Sequence, residues 1–200
     1  MARVTGPLMS MDARGKLGNT LVFTGWKGIK TVRQFVIPAN PNTAAQQTQR
    51  TRMSNTVATW KDIDSADRTA WGTWSGYEAK PMSGFNAYTK AQTKNLVEVA
   101  TAHTAKTVTA AAAVESVDVA CIAEKLTDRT AVASLTTLRV DYGTTPRDLG
   151  NTATLIWDAG SSSYKVSVAS LVAGTTYYFR ISDTALPYSI SGIFTGVPTA

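Results

Sequence analysis

Few residues in this 200-residue chain have a type and spacing that would support catalysis or metal binding. His103 is the only histidine, and its Ala/Thr-rich surroundings provide no partner pattern for a Ser-His-Asp set. Cys121, the only cysteine, has no second cysteine for an internal disulfide or a zinc cluster, so we expect a small buried strand residue. We therefore predict no catalytic residue, no metal and no cofactor, and a protein that is not an enzyme.

Two short motifs resemble ligand loops but lack essential parts. Asp62, Asp64 and Asp67 have the short spacing of a calcium loop, without its glycine and closing glutamate. They are better explained as acidic residues at the start of a helix. Residues 25–28, GWKG, lack the strand–turn–helix context and the Lys-Ser/Thr ending of a phosphate loop. We predict that they form a hairpin turn.

Residues 37–52, IPANPNTAAQQTQRTR, are an organised segment with no catalytic pattern. Pro38 and Pro41 end a strand and hold the chain extended, because proline has no N–H for a sheet and restricts its predecessor. Thr43 is a good helix N-cap, and Gln46 three residues later completes a capping box. We predict a strand-to-helix corner whose Gln/Arg face is left for an intermolecular contact.

Positive charge is concentrated in the first half of the chain. Residues 1–96 contain 13 Lys and Arg against 5 Asp and Glu, a net charge of +8. Residues 97–200 contain 7 against 9, a net charge of −2. This asymmetry favours an acidic partner for the first half, either nucleic acid or another protein. The candidate docking residues are Lys27, Lys30, Arg33, Gln46, Gln49, Arg50 and Arg52.

Alternation and turn residues predict a β-hairpin over residues 17–36, followed by three helices. The first helix is expected to run from Thr43 to about Lys61, with Met53, Val57 and Trp60 as its buried stripe. The second follows Asp64 or Ser65, and the third starts near Ser83 and Gly84. We expect Trp60, Trp71 and Trp74 to form the small core of this helical unit, because a short helical unit needs large aromatics to bury enough apolar surface.

Composition changes at residues 97–113, which are rich in Ala and Thr and are predicted to be a linker or a lead-in strand. From residue 114 the chain reads as short strands separated by turn signals, which is typical of a small antiparallel sandwich. No apolar run is long enough for a membrane-spanning helix, and the N-terminus lacks the apolar segment of a secretory signal. We expect folding in a cytoplasm and no membrane partner.

The segment 171–181, LVAGTTYYFRI, resembles the late-strand signature of fibronectin type III domains. The resemblance is carried by Leu171, Gly174, Thr175, Tyr177 and Phe179. Residues 138–145, LRVDYGTT, are similar to the middle strand of such domains. The early strand has no clear tryptophan, however, and Trp157 lies later than the signature places it. The resemblance implies a fibronectin III/Ig-like β-sandwich over residues 114–200, a fold that hosts many unrelated functions.

The first 96 residues resemble a module of uncharacterised structural proteins of tailed bacteriophages. In that module a P-x-N-P-x-T-x-x-Q-x-x-x-R run precedes Trp-bearing helices, and a Ser-Gly-Phe-Asn segment opens the last helix. The matching residues are Pro38, Asn40, Pro41, Thr43, Gln46, Arg50, Trp60, Arg68, Trp71 and Ser83–Asn86. The resemblance implies an α+β docking module over residues 1–96, a linker over 97–113 and a displayed sandwich.

The leading expectation is a non-enzymatic virion component, assembled in the bacterial cytoplasm, that docks as an adaptor at the collar, tail or baseplate. Its expected partners are other virion proteins and copies of itself. Three alternatives stay open: capsid decoration, nucleic-acid binding by the basic first half, and adhesion of the sandwich to a host-surface glycan. Basic charge without a recognised motif supports only sequence-independent nucleic-acid binding.

Overall fold

The computed structural model describes residues 3–4, 13–26, 29–77, 81–98 and 102–200. The chain is a mixed α+β protein whose C-terminal part is rich in β-structure. It divides into two compact units, residues 1–43 and residues 44–200. We describe each unit by itself.

The first unit is an antiparallel sheet of four strands in sequence order: β1 (Arg3–Val4), β2 (Ala13–Leu17), β3 (Leu21–Trp26) and β4 (Ile29–Gln34). The predicted hairpin is confirmed by β3 and β4, which pair from Leu21 opposite Gln34 to Trp26 opposite Ile29. Gly25, predicted as a turn residue, lies in β3 opposite Lys30. The remaining turn residues, 27 and 28, lie outside the described part of the chain.

The second unit begins with three helices at the predicted places: α1 (Ala44–Asp62), α2 (Ser65–Tyr77) and α3 (Gly84–Glu98). Each starts directly after a residue with a side chain suited to capping, namely Thr43, Asp64 and Ser83. At α3 the hydroxyl of Ser83 accepts the backbone N–H of Asn86 at 3.3 Å.

The tryptophans form the predicted aromatic core of these helices. Trp71 is buried, with its ring 5.0 Å from that of Trp74 and 5.2 Å from that of Tyr88. The Trp60 ring also lies 5.2 Å from that of Tyr88, and Trp60 and Trp74 are half-buried. Edge-to-face rings at such distances are favourable beyond the area that they bury.

The predicted apolar stripe of α1 is partly wrong. Met53 is 42% exposed and Val57 only half-buried, whereas Thr56 and Thr59 are the buried residues of this helix. Their hydroxyls donate to the carbonyls of Arg52 and Asn55, four residues earlier. A threonine with its hydroxyl satisfied in this way can be buried like a small apolar side chain.

Eight strands follow the helices and form two antiparallel sheets. One has the order β5-β6-β10-β9 and the other the order β12-β11-β7-β8. The strands are β5 (His103–Ala113), β6 (Ser116–Lys125), β7 (Leu138–Gly143), β8 (Asn151–Thr154), β9 (Ile156–Asp158), β10 (Ser163–Val168), β11 (Tyr177–Asp183) and β12 (Ile193–Gly196). The stretch 97–113, predicted to be a linker or a lead-in strand, thus contains the strand β5, which is the longest of the eight.

Both sheets contribute side chains to one hydrophobic cluster. Val119 and Tyr164 come from the first sheet, and Val140, Phe179 and Ile181 from the second, all almost completely buried. Cys121 is also buried in β6, as predicted. Burial raises the pKa of its thiol to about 12.

The helices and the two sheets belong to the same compact unit, so the structure places no domain boundary after residue 96. A Cβ added at Gly192, just before β12, would lie 2.4 Å from the backbone nitrogen of Trp71 in α2. Only a glycine allows the helix this close. On β5 a bulge between Lys106 and Thr109 faces Asp67 of α2, whose carboxylate accepts the N–H groups of Thr107 (2.8 Å) and Val108 (3.1 Å).

Candidate functional site

The sheet of the first unit has two chemically different faces. Residues that pair directly across antiparallel strands point to the same face. One face therefore carries Leu17, Leu21, Phe23 and Val32, with Gln34 and Lys30 on the same side of β4. None of the side chains described within residues 1–43 is buried, and Val32 is 58% exposed. This surface is called the apolar face below.

The opposite face is basic. Lys16, Val22 and Arg33 form one row across three strands. The ammonium of Lys16 sits 3.9 Å from the centroid of the Phe35 ring, a cation–π contact. A groove of about 790 Å³ runs along this face and is lined by Lys16, Val22, Arg33 and Phe35 among others. It is called the basic groove below.

The structure distributes the predicted docking residues over both units. Lys30 and Arg33 are both exposed on β4, but their odd spacing places them on opposite faces of the sheet. Lys27 lies outside the described residues. Gln46, Gln49 and Arg50 are exposed together on one side of α1, while Arg52 lies elsewhere on the helix and is half-buried.

Residues 44–51, the N-terminal part of α1, do not contribute to the helical core. Within this helix buried residues begin only at Thr56, and every residue from Ala44 to Thr51 is exposed. Arg52 instead lines a shallow groove of about 450 Å³, together with Thr48, Asn55 and Leu96. The N-terminal turns of α1 are therefore a second accessible surface, polar on one side and grooved on the other.

Pro38, Pro41 and Gly174 lie in irregular or turn segments, as the sequence predicts. Pro38 and Pro41 lie in the irregular segment 35–43 between β4 and α1, and Asn42 turns the chain there with a φ of +51°. Gly174 has a φ of +74°, a left-handed conformation that favours glycine. Three residues later the hydroxyl of Tyr177 accepts the backbone N–H of Val172 at 3.2 Å.

A charged network that the sequence analysis missed lies on the outer face of β7 and β11. The carboxylate of Asp141 is buried, and its Oδ2 accepts a hydrogen bond from the hydroxyl of Ser182 at 2.8 Å. Two arginines flank it, with Arg139 Nε 3.0 Å from Oδ1 and a terminal nitrogen of Arg180 3.3 Å from Oδ2. Arg139 also donates to Ser182 at 3.1 Å, which closes the network.

These four side chains come together because of strand register. Arg180 pairs with Asp141 and Ser182 with Arg139, so all four point to the same side of the sheet. The only signal in the sequence was two pairs of polar residues, Arg139 with Asp141 and Arg180 with Ser182, each pair with a spacing of two residues. The pairing of strands about 40 residues apart was needed to join them.

The network forms one wall of a cavity of about 360 Å³. Trp74 of α2 and the loop between β11 and β12, with Leu186, Pro187 and Tyr188, form other walls. Ser189 also lines it; this residue is 9% exposed, and its hydroxyl has no hydrogen-bond partner. The Nε of Arg180 is likewise buried without a partner. Buried polar atoms are rarely left unpaired in proteins. This is called the Arg–Asp cavity below.

His103 is not a linker histidine without a partner, as the sequence indicated, but a buried residue of β5. Its Nε2 lies 2.8 Å from Oδ2 of Asp183, whose side chain is fully buried at the end of β11. Burial tends to raise the pKa of Asp183, but the contact with His103 and the N–H of Ala185 hold it below its ordinary value. The pair joins the ends of two strands from different sheets.

The described part of the chain contains no group of three His, Cys, Asp or Glu residues arranged to hold a metal ion. None of its helices is both long enough and apolar enough to cross a membrane. Comparison with protein-family models, curated proteins and solved structures found no match to this chain. The surfaces and the cavity described above are therefore the features that can indicate a function.

Proposed function

We propose that this protein is a non-enzymatic structural component of a tailed-bacteriophage particle that docks through its first unit. The observation that carries the proposal is the apolar face, where Leu21 and Val32 are exposed and Phe23 is half-buried, on a sheet that has no buried residue among those described. A small sheet needs a covered hydrophobic face for stability. Contiguous exposed apolar patches mark interaction sites.

The docking partner in this proposal is another virion protein or further copies of the chain, arranged at the collar, tail or baseplate. Residues 1–43 contain six Lys and Arg but one Asp, so the unit as a whole is cationic and complementary to an acidic partner. The resemblance of Pro38–Arg50 to a phage module supports the same assignment. Capsid decoration is the neighbouring possibility, and both positions predict incorporation into particles.

We further infer that the two C-terminal sheets form a fibronectin III/Ig-like sandwich. When the strands from β5 to β12 are lettered A, B, C, C′, D, E, F and G in chain order, the sheet orders become A-B-E-D and G-F-C-C′. Ig-like sandwiches have this arrangement. The hydrogen bond of Tyr177, at the start of β11, to the backbone of Val172 has the geometry of their tyrosine corner.

The decisive experiment introduces Val32→Lys into the phage that encodes the protein and analyses gradient-purified particles by mass spectrometry. Val32 is 58% exposed, so the change costs the free chain little, but it buries a charge wherever the apolar face is covered. We expect the wild type in particles and at least a tenfold loss of the variant. Ile156→Lys, the same kind of change at a 71% exposed position of β9, is the matched control and should be incorporated normally.

Absence of the wild-type protein from purified particles would refute the structural assignment. Normal incorporation of Val32→Lys would refute docking through the apolar face. Size-exclusion chromatography with light scattering on the same variants distinguishes self-association from docking on another protein, because only the former changes the mass of the purified chain.

Nucleic-acid binding is a second candidate, favoured by the basic groove with Lys16, Arg33 and Phe35. A cationic groove with an aromatic ring suits a phosphate backbone and a stacked base. A filter-binding titration with duplex and single-stranded DNA tests it. Binding that falls steeply with salt and is weakened by Arg33→Gln would support this function. No salt-sensitive binding near physiological ionic strength would remove it.

A further inference from the structure

We propose that the Arg–Asp cavity binds a neutral polyhydroxylated ligand, such as one sugar residue of a glycan. This site lies in the second unit and does not depend on the particle assignment. Its volume of about 360 Å³ is at the lower end of the range for small-molecule pockets, about 300–1,000 Å³. The cavity therefore suits a small compact ligand.

Two residues that line the cavity have a buried, unpaired hydrogen-bonding group, which favours a ligand with several hydroxyls. The hydroxyl of Ser189 and the Nε of Arg180 are buried without partners. A hydroxyl group is both donor and acceptor and can satisfy either. The partly exposed guanidinium of Arg139 adds donors at the same wall.

The charge balance of the cavity argues for a neutral ligand. Its lining contains two arginines, Arg139 and Arg180, and two aspartates, Asp141 and Asp183. The two carboxylates balance the two guanidinium groups in formal charge, so the lining offers no excess positive charge to an anion. Desolvating a charged ligand there would lack compensation.

The remaining walls suit the non-polar side of a sugar ring. Trp74 is half-buried, and Tyr188 is held by Asn95 of α3, whose Oδ1 accepts the Tyr188 N–H at 3.1 Å. Lys94 donates to the Tyr188 hydroxyl at 3.1 Å. Aromatic side chains present an apolar surface with fixed orientation, which is how a mostly preformed pocket gains affinity at low entropic cost.

The test uses the full chain on an array of neutral hexoses, deoxyhexoses, N-acetylhexosamines and their short oligomers, with sialylated and sulfated glycans beside them. Saccharides that bind are then titrated by calorimetry. Ser189→Ala removes an unpartnered hydroxyl and should leave folding unchanged while weakening binding about two- to tenfold, the effect of one neutral hydrogen bond. Arg180→Lys, which loses the Nε–H, should weaken binding at least as much.

Ser167→Ala, an exposed serine on β10 in the other sheet, is the matched control and should bind like the wild type. Silence of the wild type on all neutral saccharides overturns the proposal. Equal binding by the wild type, Ser189→Ala and Arg180→Lys overturns this cavity as the site. Binding of acidic glycans alone overturns the neutral-ligand assignment.

Discussion

The carboxylate of Asp67 offers the sharpest test of how the helices are joined to the sheets. It is 2% exposed and accepts two backbone N–H groups from the bulge of β5, that of Thr107 at 2.8 Å and that of Val108 at 3.1 Å. Thr107 has a φ of +52°, so the bulge holds a conformation that non-glycine residues seldom adopt. Asp67→Ala removes the acceptor of both groups at once.

The expected loss follows from the burial of the two donors. Val108 is buried, so its N–H stays unpaired and costs about 1–3 kcal/mol. Thr107 is exposed and water can replace its partner, so its share is about 0.5–1.5 kcal/mol. The sum is about 1.5–4.5 kcal/mol, or about 3–18 °C in the midpoint of thermal unfolding for a unit of this size.

Urea unfolding followed by far-UV circular dichroism measures this loss. Asp67→Asn should give an intermediate value, because the amide oxygen accepts one N–H and the amide nitrogen accepts none. Asp118→Ala, an exposed aspartate of β6, is the control and should change stability by less than about 0.5 kcal/mol. An Asp67→Ala variant as stable as this control would show that the two hydrogen bonds to Asp67 do not hold α2 on β5.

Three further predictions follow from single positions. Gly192→Ala should destabilise the protein by about 1–3 kcal/mol, since the new Cβ meets the α2 backbone; Gly76→Ala, with nothing within 4 Å, should be neutral or stabilising by up to about 1 kcal/mol. Cys121 should react with a thiol reagent only at the rate of unfolding, because the thiol is buried with a pKa raised to about 12. The lowered pKa of Asp183 contributes stability above about pH 4 that is lost as the pH falls through the lowered value. Asp183→Asn has no carboxylate to protonate, so the decrease in the urea midpoint that comes from this group at acidic pH should be absent.

Local patterns predicted much of the fold. Alternation identified β3 and β4, capping residues located the three helix starts, and turn signals separated most strands of the C-terminal part. These features depend on residues close in sequence, which single-sequence patterns report well. The Trp core was predictable for the same reason, since Trp71 and Trp74 lie one helical turn apart.

One error, the stripe of α1, and one unresolved alternative, linker or strand over 97–113, have a common physical cause: small Thr and Ala side chains give no clear apolar pattern. Thr56 and Thr59 are buried in α1 because their hydroxyls bond to the preceding turn. β5, HTAKTVTAAAA, is buried at its start and held by pairing with β6, although its Ala/Thr composition resembles a linker. Burial of such residues is decided by what packs against them, which no local window contains.

The charged site could not be predicted because it is a product of register. Arg139 and Asp141 on one strand are unremarkable alone, as are Arg180 and Ser182 on another. If the pairing of β7 and β11 shifted by one residue, the pair on one strand would point to the opposite face of the sheet and the network could not form. The predicted docking residues are limited in the same way, because strand alternation puts Lys30 and Arg33 on opposite faces of β4 and they cannot form one patch.

The two units differ in where their stability comes from, and this difference is the strongest argument for an assembly role. Among the described residues, the two hydrophobic clusters, around Trp71 and around Phe179, lie within residues 44–200. The described side chains of residues 1–43 include no buried one. Burial of apolar area is the dominant favourable contribution to folding, and a sheet without it is marginal in water.

A partner that covers the apolar face would supply that contribution, so binding should stabilise the first unit and leave the second unchanged. Amide hydrogen exchange on free and particle-bound protein would separate the two: new protection confined to β2–β4 supports the argument, and protection confined to the second unit refutes it.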